Sequence, residues 1–460
     1  MPARPNILYI ITHDTGRFLG CYDRPIPFSP NLDRFAEEGI KFTSTFCTAT
    51  CCGPSRVCAM TGKYSHVTGT LGLAGMGWSL PAEEKTLVDY LNAADYETIH
   101  MGFCHERWYG AMNYQVDGSL EDEKYWKDDT KIVIDNAIDY LENRDDDRPF
   151  YMNLAMHETH ASKLAQFLER YQEMAPPDQC WVPPTEPDMP AFRERFSKWY
   201  ASLRYADEHI GRMLNYMKQS GLWDNTVIMY TTDHGVGCVR GKGNVYEVGM
   251  EIAHLMHLPK GMQNGYVVDH LIPNIDFMPT LMEAAGLTPP DGVNGRSFWP
   301  LLKGDGYTPR GHVFLERNFH GERASKESTE FVDKYDPQRT IRTERYRYVR
   351  NFRPDARPRL PYRHEITGYS KVEGREGNLE TTVTEARPAE ELYDRLHDPW
   401  EQNNLIGRPE YADIQSDLSA KLLQWMEETN DPALKPGLPE PLQEPARWPT
   451  SDKIQPVEHV

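Results

Sequence analysis

The segment from Thr50 to Lys63 reads TCCGPSRVCAMTGK and places three cysteines around a Pro-Ser-Arg triplet. Pro54 suits the first turn of a helix, which puts Cys52 just before the amino terminus of that helix. The free N–H groups and the dipole at such a terminus favour an anion, and they can also activate a thiol. Arg56 follows in the first turn, where its guanidinium can bind the same anion. The segment therefore predicts a nucleophile beside an oxyanion site.

Further polar side chains follow the apolar strands of the chain, at the points where those strands end. They are His13, Asp14, His105, His157, His160, Asp233 and His234. In an open α/β sheet the carboxyl ends of the strands form the ligand crevice. A single histidine is more often a hydrogen-bonded structural residue, and a single strand-end aspartate is often a helix cap. The joint pattern predicts one shared site.

Several other motifs are absent. HETH is one residue too short for the H-E-x-x-H zinc helix, and GVGCVRGKG lacks the spacing of a phosphate-binding P-loop. No G-x-S-x-G or G-x-G-x-x-G segment occurs, which disfavours a serine hydrolase and a dinucleotide-binding protein. The spacing of the cysteines between Cys47 and Cys58 fits no common zinc pattern.

The segments that must position these residues alternate between strand and helix patterns. Predicted strands are NILYIIT, IKFTSTF, a segment ending near Gly102, RPFYMNLA and NTVIMYTT; predicted helices include SPNLDRFAEEG, capped by Ser29, the stretch from Trp199 to Ser220, and IDFMPTLMEAAG. Continuous apolar strands alternating with helices are typical of a parallel sheet covered on both faces. We therefore predict an α/β fold with a large, mostly parallel sheet sandwiched by helices.

The texture of the sequence changes after about Gly304. HVFLERNFH and RTIRTERYRYVRNF read as strands of an antiparallel sheet, and ADIQSDLSAKLLQWMEE reads as one amphipathic helix. This pattern predicts a smaller C-terminal α+β domain. We place a catalytic domain over residues 1–336 and the smaller domain over residues 337–460.

The composition limits the partners of the chain. Its 460 residues carry 50 Lys and Arg against 69 Asp and Glu, a net charge of −19, so nucleic acid and anionic membrane are not expected partners. No apolar run approaches the roughly 20 residues of a membrane span. With no signal peptide seen, we expect the eight cysteines to be reduced in a cytoplasmic protein, or a periplasmic or secreted location if the chain is a processed form. The sequence does not predict the oligomeric state, although a homo-oligomer is common for such chains.

The Cys52 segment carries a family resemblance. CGPSRVCAMTGK matches the sulfatase signature, C-x-P-S-R followed by T-G at Thr61 and Gly62. The chain resembles the type I, formylglycine-dependent sulfatases of the alkaline-phosphatase-like superfamily, and NILYIITHDTG, GFCHERW, TTDHG and GRSFWPLLKG extend the likeness along the chain. Three C-terminal segments, RTIRTERYRYVRN, ELYDRLHDPWEQNNL and LLQWMEETNDP, look most like the sulfamidase (heparan N-sulfatase) branch.

The resemblance implies the nucleophile and the partners. A dedicated formylglycine-generating or equivalent enzyme would oxidise Cys52, rather than Cys51 or Cys58, to formylglycine, whose hydrated aldehyde attacks a sulfate ester. The implied activity is hydrolysis of O- or N-sulfated sugar or aryl substrates. The expected partners are therefore a small anionic sulfated substrate and the maturation enzyme.

The resemblance also implies a metal site and a cationic cradle. One divalent ion would be held by Asp14, Asp233 and His234, with His13 either a fourth ligand or a residue just outside the coordination shell. Calcium is the family's usual metal, while histidine ligands favour manganese or zinc. The residues implied to surround the sulfate are Arg56, His105, His160 and Lys242, with His105 removing a proton after the attack and Lys242 or His160 protonating the leaving group.

Two residues depart from the family pattern. His13 replaces the first of two acidic ligands, and Phe103 replaces a lysine two residues before His105. The lost positive charge could be supplied by Lys63 or Arg107. Three alternatives stay open: an unmodified cysteine nucleophile, a phosphonate or phosphodiester hydrolase of the same fold, and a non-catalytic binder of sulfated glycans.

Overall fold

The computed structural model of the chain describes residues 4–107, 112–118, 130–160, 172–323, 331–354, 387–437 and 439–441. Its main sheet has eight strands in the order β5-β4-β6-β1-β7-β8-β2-β9. The strands are β1 (Asn6–Thr12), β2 (Ile40–Phe42), β4 (Glu97–Gly102), β5 (Val116–Asp117), β6 (Phe150–Ala155), β7 (Thr226–Thr232), β8 (His254–His257) and β9 (Tyr266–Val268). The first five strands in the sheet order run parallel, and β8 is antiparallel to both of its neighbours. The sheet is therefore mostly parallel, as predicted.

Helices cover both faces of this sheet. They are α1 (Pro30–Glu38), α2 (Cys52–Thr61), α3 (Ser65–Thr68), α4 (Leu87–Ala93), α5 (Thr130–Asn143), α6 (Pro190–Gln219), α7 (Glu247–Met250), α8 (Phe277–Ala284) and α9 (Trp299–Leu302). Strand β1 shows why both faces are needed, because its side chains alternate between two cores. Leu8 and Ile10 pack with α1, α5 and α6, whereas Ile7, Tyr9 and Ile11 pack with α2, α4 and α8. The predicted fold class is confirmed.

A second, antiparallel sheet follows, with strands in the order β11-β12-β13-β14, and the short strands β3 (Thr45–Phe46) and β10 (Ile272–Pro273) pair with each other. Its strands are β11 (His312–Arg323), β12 (Phe331–Thr343), β13 (Tyr346–Asn351) and β14 (Glu390–Asp394), and helix α10 (Ala412–Glu428) packs on it. The predicted boundary at residue 336 falls inside β12. Residues 355–386 and 442–460 lie outside the described residues, and the division into two domains stays a prediction.

One local prediction is wrong. Ser29 precedes α1, but its hydroxyl caps no backbone N–H of that helix. The carboxylate of Asp207, on α6, instead accepts hydrogen bonds from the backbone N–H groups of Asn31 (3.1 Å) and Leu32 (2.8 Å). The cap comes from a side chain 175 residues away in sequence, which local pattern cannot show.

Two further findings bear on the expectations from composition. All eight cysteines are free thiols. Within the described residues, no helix has the length and apolar character needed to cross a membrane.

Candidate active site

The site forms where two neighbouring parallel strands end. The last residues of β1 and β7, Thr12 and Thr232, are partners in the sheet register. The pairs that follow them, His13 with Asp14 and Asp233 with His234, therefore lie side by side. The backbone N–H of Asp14 donates to Asp233 Oδ1 at 2.9 Å, which ties the two loops together.

The backbone of both loops turns sharply at this point. Asp14 has a φ of 55°, in the left-handed region that aspartate tolerates better than most residues. After His234, a side chain at Gly235 would place its Cβ 1.8 Å from the carbonyl oxygen of Val248. Only glycine fits there, so the Asp-His-Gly sequence is what allows the second loop to close under the site.

Five side chains meet with donor atoms that all lie within 4.8 Å of one another. They belong to His13, Asp14, Cys52, Asp233 and His234, and all five residues are buried. His13 Nδ1 lies 2.7 Å from Asp14 Oδ1 and 3.2 Å from Asp233 Oδ2. His234 Nε2 lies 3.2 Å from the same Asp14 oxygen. Two carboxylates and two imidazoles at these separations are a set of donor groups of the kind that holds a divalent cation.

Cys52 is the first residue of α2, one position further into the helix than predicted. Its Sγ lies 3.4 Å from His234 Nε2, so the helix amino terminus points the side chain at the carboxylate pair. A hydrogen bond with Cys51 and burial raise the pKa of the Cys52 thiol well above its usual value, while Lys242 and His234 oppose them. The thiol is therefore neutral in this environment.

Arg56 lies one turn further along α2 and is almost fully buried. Its Nη2 donates to Asp233 Oδ2 at 3.1 Å and to the backbone oxygen of Thr12 at 3.4 Å. Its Nη1 has no protein partner. One face of a buried guanidinium is thus left to bind another group.

Lys242 comes from the loop between β7 and α7. The backbone N–H of the next residue, Gly243, donates to the carbonyl of Thr50, which holds this loop against the segment before Cys52. Lys242 Nζ lies 2.7 and 2.9 Å from the two oxygens of Asp14. The predicted cation is in the site, and it contacts a predicted metal ligand.

Three histidines pack around Phe103, and a fourth packs on His13. The ring centroid of Phe103 lies 4.1 Å from that of His105, 4.5 Å from that of His157 and 5.1 Å from that of His13. His160 completes the set at 4.6 Å from His13. The two departures from the family pattern, His13 and Phe103, are therefore direct neighbours.

His157 is one of the predicted strand-end residues, but it was given no role in the reaction. It stacks on His13 with 5.6 Å between ring centroids and lies 5.2 Å from His160. Of the two histidines in HETH, the family resemblance assigned a role only to the second.

The charges of the cluster set its protonation. Burial opposes ionisation of Asp14 and Asp233, but nearby cationic and imidazole groups outweigh it and hold both pKa values below the usual range. Burial alone would lower the pKa of His234, yet Asp233 and Asp14 raise it to about 9. The two carboxylates are thus ionised, and their negative charge favours the protonated form of His234.

The remaining histidines behave in the opposite way. Removal from water lowers the pKa of His13, His105 and His160 well below that of a free histidine, and Lys242 or Arg56 adds to the shift. Each is a neutral imidazole, which can accept a proton. His105 Nδ1 has no protein partner.

Neither cation proposed to replace the family lysine is free to do so. Lys63 Nζ pairs with Glu84 at 2.7 Å. The Arg107 guanidinium donates to backbone carbonyls, among them that of Pro81 at 3.0 Å. Both groups have partners of their own.

The mostly parallel, helix-covered sheet carries carboxylates and imidazoles at its carboxyl edge, facing a helix amino terminus, as the resemblance to alkaline-phosphatase-like hydrolases implies. The profile of the family described as Sulfatase matches residues 5–287, more than half of the chain. The chain belongs to the sulfatase family and is a sulfatase. A second profile, N-sulphoglucosamine sulphohydrolase, C-terminal, matches residues 239–357, in agreement with the likeness of the C-terminal segments to the sulfamidase branch.

Individual relatives agree with this family. The chain is 25% identical to an ulvan-active sulfatase of Formosa agariphila, over 95% of this chain and 77% of that protein. It is 24% identical to human N-sulphoglucosamine sulphohydrolase, over 94% of this chain and 91% of that protein. A protein solved in complex with its substrate D-glucosamine-2-N,6-O-disulfate has a similar fold, with a TM-score of 0.68, 22% identity, and coverage of 94% of this chain and 100% of that chain.

Proposed function

We propose that the protein hydrolyses sulfate esters or sulfamates at this site, with a nucleophile made from Cys52 and with one bound divalent metal ion. The observation that carries the proposal is the position of Cys52. Its side chain starts a helix and points into a buried set of two carboxylates and two imidazoles, with Sγ within 4.8 Å of their donor atoms.

The nucleophile is proposed to be formylglycine, formed from Cys52 by a maturation enzyme. The group supplies a hydroxyl on a hydrated aldehyde as the attacking atom. The match of Cys52–Gly62 to the C-x-P-S-R…T-G signature supports this choice over an unmodified cysteine. The metal, held by His13, Asp14, Asp233 and His234, would supply Lewis acidity toward the sulfuryl oxygens.

The other side chains bind charge and move protons. Arg56 is fixed by Asp233 and presents its unpartnered Nη1 to an oxyanion, whose charge grows in the transition state. His105 is neutral and has an unpartnered ring nitrogen, so it can act as a general base. Lys242 Nζ lies 2.7 Å from Asp14, so its ammonium group can protonate the leaving oxygen or nitrogen. His160 is a neutral imidazole and would serve this reaction as a hydrogen-bonding group rather than as the acid.

A sulfated sugar is the proposed class of substrate. Human N-sulphoglucosamine sulphohydrolase and the protein solved with a disulfated glucosamine both match nearly the whole chain. The match of the C-terminal profile adds support for an N-sulfated sugar. Rates on an aryl sulfate, an N-sulfated glucosamine and an aryl phosphodiester, measured in parallel, would rank this proposal against the phosphoester alternative.

The proposal is tested by mass spectrometry of the peptide that spans Cys52, after expression with a formylglycine-generating enzyme. We expect an aldehyde or its hydrate at Cys52 and a free thiol at Cys58. Cys52→Ala should abolish turnover and leave the thermal unfolding temperature within a few degrees of the parent. Cys58→Ala, on the same helix but in the hydrophobic core, should keep its activity. Substantial turnover by Cys52→Ala would refute the nucleophile assignment.

A further inference from the structure

His13 is the residue of the cluster whose contribution is least expected. It is completely buried, and its Nδ1 approaches oxygens of both site carboxylates, at 2.7 Å for Asp14 and 3.2 Å for Asp233. Its other nitrogen, Nε2, has no protein partner. An imidazole nitrogen placed between two carboxylates is a third donor to whatever cation those carboxylates bind.

The surrounding rings fix this orientation. Phe103, His157 and His160 pack around His13, with ring centroids 5.1, 5.6 and 4.6 Å away. A ring held on several sides does not need to be ordered when a metal binds, which removes part of the entropic cost of coordination. The packing therefore holds the His13 ring in the orientation in which Nδ1 faces Asp14 and Asp233.

The donor set then has a definite chemical preference. His13 and His234 supply two nitrogens, and Asp14 and Asp233 supply oxygens. Calcium takes six to eight oxygen ligands, whereas imidazole nitrogen suits first-row transition ions. Burial limits how many further oxygens can be added to the shell, because the atoms around the cluster are close-packed protein.

From this geometry we infer that His13 is a direct metal ligand and that the site selects a first-row transition ion, Mn²⁺ or Zn²⁺, over Ca²⁺. The inference rests on the proposed function, since it concerns the metal of that same site. It replaces the calcium implied by family resemblance with a choice set by this chain's own residue at position 13.

The test measures metal binding without turnover. Protein carrying Cys52→Ser is stripped with a chelator and titrated calorimetrically with MnCl₂, ZnCl₂ or CaCl₂. Manganese and zinc are expected to bind at least about tenfold more tightly than calcium. His13→Asp should lower the Mn²⁺-to-Ca²⁺ affinity ratio at least about tenfold, because it exchanges a nitrogen for an oxygen ligand. His100→Asn is the matched control, since His100 is a buried histidine of β4 outside the cluster.

A spectroscopic measurement can test the inference on the protein with His13 intact. Pulsed electron paramagnetic resonance of the Mn²⁺-loaded protein should show ¹⁴N couplings from two imidazoles, and from one after His13→Asp. A single coupled imidazole in the protein with His13 intact would overturn the inference even if the variant failed to fold. So would calcium binding as tight as manganese binding, or an affinity ratio that His13→Asp leaves unchanged.

Failure of the proposed function gives a different result. If the metal preference holds but the protein with a converted Cys52 does not release sulfate, the inference stands and the sulfatase mechanism is wrong. If sulfate is released by a protein that prefers calcium, the mechanism stands and the inference is wrong.

Discussion

Two of the buried clusters of acids and bases among the described residues differ in how their central arginines are paired. One is the candidate active site. The other, here called the ion-pair network, joins α7 to the second sheet and consists of Glu247, Arg342, Arg347, Arg395 and Glu401. Most side chains of both clusters are buried, so an unpaired polar atom in either costs free energy.

The arginines at the two centres show the difference. Every side-chain nitrogen of Arg347 has a protein acceptor: Glu401 at 2.6 Å, the carbonyl of Val245 at 2.9 Å, and Glu247. Arg56 is equally buried but keeps one nitrogen without a protein partner, as do His13 and His105 beside it. Arg342 Nη1 and Arg395 Nε in the network also lack a hydrogen-bond partner, so the contrast is between Arg347 and Arg56 and not between the two clusters as wholes. The complete pairing of Arg347 stabilises the fold, whereas the open nitrogen of Arg56 faces the candidate site.

Arg347→Leu is expected to have the largest effect, and on stability. It would leave Glu247 and Glu401 buried with one cation fewer, at a cost of about 3–5 kcal/mol in the free energy of unfolding. The kcat of the folded fraction should stay within about twofold of the parent. Urea denaturation measures the first quantity and initial rates the second.

The control for this prediction is Arg345→Leu. Arg345 pairs with Asp394 at 2.7 Å but is 45% exposed, so its loss should cost less than about 1 kcal/mol. Equal losses in the free energy of unfolding for Arg345→Leu and Arg347→Leu would show that the complete pairing of Arg347 does not stabilise the fold.

Arg56→Leu should instead affect the rate. Removing a donor to the transition-state oxyanion lowers kcat about 10²- to 10³-fold. Asp233 keeps hydrogen bonds from the backbone N–H groups of Asp14 and His234, so the loss in stability should be about 1–2 kcal/mol, smaller than for Arg347→Leu. Arg56→Lys should recover part of the rate, because it restores the charge without the forked geometry. If Arg56→Leu had a normal kcat and a large loss of stability, Arg56 would be a structural arginine like Arg347.

A pH dependence separates a structural histidine from those of the site. His254 is buried against Phe42, with ring centroids 3.9 Å apart, and burial lowers its pKa to about 3. Between pH 6.5 and 3 the unfolded chain binds a proton at this residue and the folded protein does not, so stability falls as the pH falls. At pH 5 the contribution is roughly 2 kcal/mol.

The measurement compares urea denaturation at pH 7.5 and pH 5 for the parent and for His254→Phe, which keeps the aromatic packing. The loss between the two pH values should be smaller in the variant by about the same 2 kcal/mol. An unchanged loss would mean that the site histidines or other groups carry the whole pH dependence.

The comparison also shows what the sequence could and could not predict. The strands β1 and β7 and the polar pairs after them were predictable, because continuous apolar runs ending in polar residues leave a local pattern. Cys52 was predictable from its signature. The contact between Arg56 and Asp233 joins residues 177 positions apart, and no local pattern encodes the sheet register that brings them together. The same limit applies to His157, which was predicted to lie near the site but whose contacts with His13 and Phe103 only the structure shows.

The smallest expected effect concerns Asp207, a buried acid outside both clusters. The sequence predicted Ser29, and not Asp207, as the cap of α1. Its carboxylate accepts hydrogen bonds only at the start of α1, from Asn31 and Leu32, so its role is that of a helix cap. Asp207→Ala should cost about 1–2 kcal/mol, and Asp207→Asn less, because the amide oxygen still accepts a bond. Rates should not change in either variant, unlike any change at Asp14. Equal losses in the free energy of unfolding for the two variants would mean that Asp207 does not stabilise the fold by capping α1.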